Sequence, residues 1–178
     1  MNKSRWQLLR SRQFWPQRVV SAGGAIATGF IAIALFAPSS NSLPVPTPTG
    51  LIIKPSAHSV EETERRFIST IEARGLNVFT TVDHAQNATG AGLTLPPTRV
   101  VIFGNPKLGT PLMQCAQSLA IDLPQKLLIW ENEDGQVQIA YNDPRYLGGR
   151  HRLGSCGNKV IQQVAGALDG LSNAAVSP

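Results

Sequence analysis

The first fifty residues contain no aspartate or glutamate. They carry five basic side chains, Lys3, Arg5, Arg10, Arg12 and Arg18, which account for the whole formal net charge of +5. Every acidic residue lies further on, where the acidic and basic side chains balance. A basic excess spread over a folded surface points to a polyanion partner, but one confined to a leader does not. No nucleic acid is therefore expected as a partner.

Several chemical signatures are missing as well. The two cysteines, Cys115 and Cys156, fall in no CxxC, CxxCH or finger-type Cys/His spacing. Gly154-Ser155-Cys156-Gly157 lacks the Gly-x-Ser-x-Gly elbow of a hydrolase and the order of a papain-type signature. Gly104-Asn105-Pro106-Lys107-Leu108-Gly109-Thr110 bears glycine, but lacks the Gly-Lys-Ser/Thr ending of a phosphate loop. No carboxylate pair is spaced for glycoside cleavage, and there is no internal repeat. These absences argue against an enzyme, assign no catalytic residue, and leave no cofactor identifiable.

What is present begins with an uncharged run at residues 19–37. As a helix it would span about 28 Å, close to the hydrocarbon thickness of a bilayer. Only Ser21 and Thr28 interrupt it with polar groups, and Trp15 precedes it where an interfacial aromatic would sit. The basic residues 1–18 keep that end in the cytoplasm. The chain is thus expected to be a single-pass protein of the cytoplasmic membrane, with its bulk on the periplasmic or extracellular side. The alternative is a cleavable signal, giving a secreted or periplasmic protein, with Ala37-Pro38-Ser39 as a poor cleavage site. Residues 38–49 follow with four prolines, which exclude helix and favour a stiff extended spacer.

Residues 50–178 read as one α+β domain. Gly50-Leu51-Ile52-Ile53-Lys54 suits a strand. Ser59-Val60-Glu61-Glu62 is a capping box opening a helix with Val60, Phe67, Ile68 and Ile71 on one face. Leu76 to Val82 alternates as a strand, and a loop or helical turn from Asp83 follows. Arg99 to Phe103 suits a central strand buried on both faces. Thr110-Pro111 reads as the cap and first position of a second helix carrying Leu112, Met113, Ala116 and Leu119. Asp134-Gly135 between Lys126–Trp130 and Val137–Tyr141 signals a hairpin, with Trp130 expected in the core. Asn142-Asp143-Pro144 opens a short helix to about His151. Val160, Ile161, Val164, Leu168 and Leu171 mark a last one. This predicts a two-layer sandwich: a mainly antiparallel sheet of about five strands packed with helices, preceded by one transmembrane helix.

Five segments also occur together in order: Asp83-His84; Thr98-Arg99-Val100-Val101-Ile102-Phe103-Gly104-Asn105-Pro106-Lys107; Gly109-Thr110-Pro111-Leu112-Met113; Asp122-Leu123-Pro124-Gln125-Lys126; and Tyr141-Asn142-Asp143-Pro144. In this the chain resembles the domain-of-unknown-function family numbered 302, over about residues 51–153. The resemblance implies a compact α/β sandwich that pairs as a homodimer, with no established reaction. Cys115, Cys156, the apolar run and the last helix lie outside the pattern that carries it.

The candidate ligand-binding residues are polar groups at element ends: His84, Asn105, Lys107, Thr110, Tyr141, Tyr146 and His151. Each also has an ordinary reading as a cap or packing residue. Asn105, Lys107 and Thr110 stand at a strand-to-helix turn, where amides can hold an anion. Cys115 and Cys156 are a disulfide candidate, permitted by an oxidising compartment and stabilising by roughly 4 kcal/mol if formed. Separate thiols and a metal or redox role remain open. The preferred reading is a non-catalytic module that binds a small ligand or a protein. The alternatives are a metal- or haem-binding protein using His84 or His151 with Cys115, Cys156 or Met113, and an enzyme of unrecognised type.

Overall fold

The computed structural model describes residues 49–178. The basic leader, the apolar run 19–37 and nearly all of the proline-rich spacer lie outside the described residues. Among the described residues, no helix is long and apolar enough to cross a membrane.

Five strands and five helices follow one another in the order β1 Leu51–Pro55, α1 Val60–Ala73, β2 Asn77–Asp83, α2 His84–Gly90, β3 Thr98–Gly104, α3 Pro106–Cys115, β4 Gln125–Glu131, β5 Val137–Asn142, α4 Pro144–Arg150 and α5 Asn158–Val176. A 3-10 turn, Gln117–Ile121, separates α3 from β4. The strands form one sheet in the order β1-β5-β4-β3-β2, antiparallel at every neighbour. The expected five-stranded antiparallel α+β architecture is present.

Most helices begin where their caps dictate. The Ser59 hydroxyl accepts from the Glu62 amide (3.2 Å), and the Asp83 carboxylate accepts from Gln86 (2.8 Å). Asp143 accepts from Arg145 (3.0 Å) and is itself only 1% exposed. The second long helix departs from expectation. It opens at Pro106 under an Asn105 cap, whose side chain accepts from the Lys107 amide (2.9 Å). Thr110-Pro111 is therefore not its start, and Pro111 lies inside it. Asn105-Pro106 offers the same cap-plus-proline chemistry one turn earlier, directly off β3. The helix also stops sooner than expected. Ala116 is extended (φ −152°), so Ala116 and Leu119 belong to the break and the 3-10 turn.

Helices α1 and α5 lie on one face of the sheet and make the main core with it. Phe67 of α1 meets Phe103 of β3 edge to face, with ring centroids 5.0 Å apart and planes at 80°. Ile71, Leu171 and Ala175 pack from the helices onto Ile52, Val101, Leu127 and Ile139. A second core joins α3, the 3-10 turn, α4 and α5 through Leu112, Leu119, Leu147 and Ile161.

Two expectations fail for one reason. β3 is not buried on both faces, and Trp130 is not in the core. The register puts Val101 and Phe103 under the helices, while Val100, Ile102 and Trp130 share the opposite face and remain partly exposed. A two-layer sandwich covers only one side of its sheet. In β2, a register shift between Val78 and Thr80 interrupts the expected alternation. Val78 and Thr81 consequently face the helices, and Phe79 is left 52% exposed.

Cys115, ending α3, is disulfide-bonded to Cys156, in the loop before α5, with Cα atoms 5.8 Å apart. Their sequence separation is 41. Replacing both with serine is expected to lower the unfolding free energy by about 4 kcal/mol on the chain-entropy relation. The reading is a fall in urea midpoint. Reductant should produce that fall in the parent protein and none in the variant.

Candidate functional site

The element ends divide between the two ends of the sheet. Asp83 pairs with Arg99, and Asn77 with Gly104, so His84 leaves the sheet at the end where β3 begins. Asn105 leaves at the other end, as do Tyr141 and Asn142, because β4 lies between β3 and β5 and each neighbour is antiparallel. His84 therefore lies at the opposite end of the sheet from Asn105 and Tyr141.

The Asn105 end holds an apolar cavity of about 260 Å³ between α3, α5 and the ends of β2 and β3. Leu108, Leu112 and Met113 line it from α3; Val164, Leu168 and Leu171 line it from α5. Phe79 stands in its wall, and Leu123 and Pro124 close it from the segment before β4. Asn105, Thr110 and Gln125 add its polar groups, and no titratable side chain lines it. Helix α3 ends at Cys115, and its apolar face meets the cavity opposite α5. For scale, an apolar cavity of roughly 150 Å³ accepts benzene.

The other candidates serve local structure. His84 is exposed at the first position of α2. Lys107 is exposed, and Thr110 is exposed at the cavity rim. Tyr146 stacks where a side chain at Gly50 would collide with its ring, and Gly50 sits at φ +77°. Tyr141 is buried beneath the helices, with Ser172 beside its hydroxyl. Beside it, Lys54 donates to Asp169 (2.6 Å), Ser172 (2.7 Å) and Asn173 (2.6 Å), fastening β1 to α5.

His151 joins a polar chain. Ser118 Oγ lies 3.0 Å from His151 Nδ1, and His151 Nε2 lies 2.6 Å from Asp122 Oδ2. Arg150 holds the other Asp122 oxygen at 3.2 Å. Serine, imidazole and carboxylate in this order can activate a nucleophile. Here none of the three lines the cavity, and the set ties the 3-10 turn to the end of α4. At the opposite end of the sheet, Arg99 bridges Glu64 (2.6 Å), Asp83 (3.1 Å) and Glu61 (3.4 Å). The Gln86 amide, assisted by Arg99, holds the Asp83 carboxyl below its ordinary range. The Glu64 hydrogen bond raises Arg99 above its own.

The metal-binding alternative loses its thiols, since both sulfurs are in the disulfide. Met113 lines the cavity, but no histidine does. Among the described residues, no three His, Cys, Asp or Glu side chains are grouped to hold a metal. The cavity's apolar lining was missed as a site. Its signal was present only as separate apolar faces on α3 and α5.

Fold and cavity together define a class: a one-sided α+β sandwich with an apolar, ligand-sized chamber at one end of its sheet. The chain belongs to the family described as domain of unknown function DUF302, which matches residues 52–171. That span takes in Cys115, Cys156 and most of α5, which the resemblance had left outside. A crystal structure of an uncharacterized conserved DUF302 protein from Bacillus stearothermophilus shares the fold. Its TM-score is 0.58 at 16% identity, covering 71% of this chain and 95% of that one. Among curated proteins, the chain is similar to fluoride-specific ion channel FluC 1 of Brucella suis. They are 46% identical over 114 residues, which is 64% of this chain and 45% of that one. FluC 1 of Brucella abortus and FluC 2 of Brucella melitensis match equally over 42% of their lengths. The chain spans less than half the length of these relatives.

Burial pushes the Tyr141 hydroxyl up to about 12; Ser172 opposes this, and the nearby Asp169 and Asp143 charges add to it. An unfolded tyrosine ionises near about 10. Between those values the folded state keeps a proton that the unfolded state has lost. The contribution is full below about pH 10 and is lost as pH rises toward 12. Tyr141→Phe is expected to flatten this part of the alkaline stability profile, followed by urea unfolding at stepped pH. Identical slopes in both proteins would refute the assignment.

Proposed function

We propose that the chain is a membrane-tethered, non-catalytic binding module whose α3–α5 cavity receives a small apolar molecule and which works as a pair of identical chains. One observation carries the binding reading: the cavity is walled mostly by carbon, and no titratable side chain lines it. Such a site can hold and orient a molecule by burying its apolar surface. Acid–base or nucleophilic chemistry would need titratable groups in the same chamber. The chamber approaches the roughly 300 Å³ at which small-molecule sites begin. The ligand is therefore compact, such as a short acyl chain or a single substituted ring.

The tether rests on the run at residues 19–37, its basic flank and the stiff spacer, which would place the domain on the periplasmic or extracellular side. A disulfide suits an oxidising compartment. The Brucella relatives, named as ion channels, carry a matching segment within proteins of the membrane, which supports a membrane setting for the domain. Their channel activity has no counterpart that follows from this chain.

Two outcomes are expected. Full-length chain should sediment with membranes and resist carbonate extraction, whereas deletion of residues 19–37 should release it; an extractable full-length chain would refute the tether. An environment-sensitive apolar dye should bind the full chain in detergent-free nanodiscs. Ala167→Phe, which pushes a ring into the cavity from α5, should weaken binding at least about tenfold, a loss of about 1.4 kcal/mol. Unchanged dye affinity in a folded Ala167→Phe protein would place the ligand elsewhere.

A further inference from the structure

We infer that the ligand of the α3–α5 cavity is an uncharged single-ring phenol, with its ring among the apolar walls and its hydroxyl against Gln125 and Asn105. This rests on the binding reading above and names the ligand class. The strand β4 is central in the sheet. Gln125 opens it directly opposite Phe103, so both stand on the helix-covered face, in line with Leu127 and Ile129. Phe103, Leu127 and Ile129 are sealed in the core, whereas Gln125 is half-buried and lines the cavity. Among the described residues its side-chain amide makes no hydrogen bond. A primary amide in that position brings two donors and an acceptor that water or a ligand must meet.

Asn105 is half spent. Its Oδ1 accepts from the Lys107 amide (2.9 Å), and among the described residues its side-chain NH2 has no partner. The Thr110 hydroxyl stands at the exposed rim. The polar side chains of the cavity are therefore two primary amides and a hydroxyl, all uncharged. The nearby charges are engaged elsewhere. Lys126 donates to the Asp122 and Pro124 carbonyls (3.3 and 3.0 Å), and the Asp122 carboxylate is held by Arg150 and His151. A carboxylate or ammonium entering the chamber would lose water and find no countercharge in its lining. A hydroxyl loses less, and it can accept from the Asn105 amide while donating to the Gln125 oxygen.

The walls favour a ring over a chain. Phe79 and Met113 both line the cavity. An aromatic face or edge and a polarisable sulfur each make specific contacts with a second ring. A rigid ring also gives up less rotational freedom on binding than a flexible chain of equal area. The volume of about 260 Å³ exceeds the roughly 150 Å³ that admits benzene, which leaves room for the hydroxyl and a small substituent.

The test is NMR of full-length chain in nanodiscs, labelled at the methionine methyls. Met1 and Met113 are the two methionines, so a shifted Met113 signal reports the cavity and ignores probe dissolved in lipid. Met113→Leu assigns the signal, and empty nanodiscs fix the free probe concentration. Para-cresol is expected to bind about fivefold more tightly than toluene, the yield of one neutral hydrogen bond. Para-toluate and para-methylbenzylamine, both ionised at neutral pH, should bind at least about tenfold more weakly than para-cresol. Hexanol should also bind more weakly. Gln125→Leu should bring para-cresol to the affinity of toluene and leave toluene unchanged. Equal binding of para-cresol and toluene overturns the hydroxyl contact. Tighter binding of either ionised probe overturns the neutral head, and tighter hexanol overturns the ring; in all three cases the cavity remains a binding site. A preference for para-cresol that persists in folded Gln125→Leu overturns the part given to Gln125. If that variant fails to fold, the probe series on the parent decides alone. A Met113 signal that no probe moves overturns the binding reading itself.

Discussion

The sheet has two faces, and among the described residues helices cover one. On that side Phe67 locks edge to face onto Phe103, and Ile71 and Leu171 close over Val101, Leu127 and Ile139 with essentially no residual exposure. Truncating either phenylalanine would remove about 3–5 kcal/mol, a large part of a typical domain's stability. The burial is one-sided because α1 and α5 both return over the same face, each paired with the other as well as with the strands. The cavity in the helix layer and the bare opposite face are both consequences. The first is the place where the helix layer is incomplete, and the second is where there is no layer among the described residues.

Around this core, polar groups act as fasteners. Lys54 reaches from an edge strand to Asp169, Ser172 and Asn173 of α5, so a lysine that would be costly to bury unpaired instead anchors the strand. Arg66 does the same at the end of α5, donating to the carbonyls of Ala174, Ala175 and Ser177, where a cation also suits the helix dipole. The disulfide and the Ser118–His151–Asp122 chain hold α3, the 3-10 turn and α4 together. Of these, α3 and the 3-10 turn contribute lining to the cavity. None of Cys115, Cys156, Ser118, His151 and Asp122 lines it.

Much of the fold was legible because it rests on local rules. Ser59 and Asp143 were readable caps, Asp134-Gly135 was a readable hairpin, and the apolar periodicity of α1 and α5 faces the core where it should. The α3 start was misplaced because Asn105-Pro106 and Thr110-Pro111 carry the same local signature. Attachment directly to the end of β3 decides between them. The β2 alternation was misread because the shift at Phe79 leaves no mark in the composition. Trp130 and β3 were misplaced because an apolar strand residue looks the same whether its face is covered or bare.

By itself the sequence determined the element types, their order, the charge-segregated leader and apolar run, and membership in a family, since each depends on neighbours within a few residues or on an ordered set of short segments. Only the tertiary structure decided which faces meet. It joined Cys115 to Cys156, sent His84 to the end of the sheet away from Asn105, and set the apolar stripes of α3 and α5 around a common chamber. Each of those outcomes depends on strand order and on how far a helix extends before it breaks. Side-chain periodicity reports which way a residue points, but not what waits on the other side.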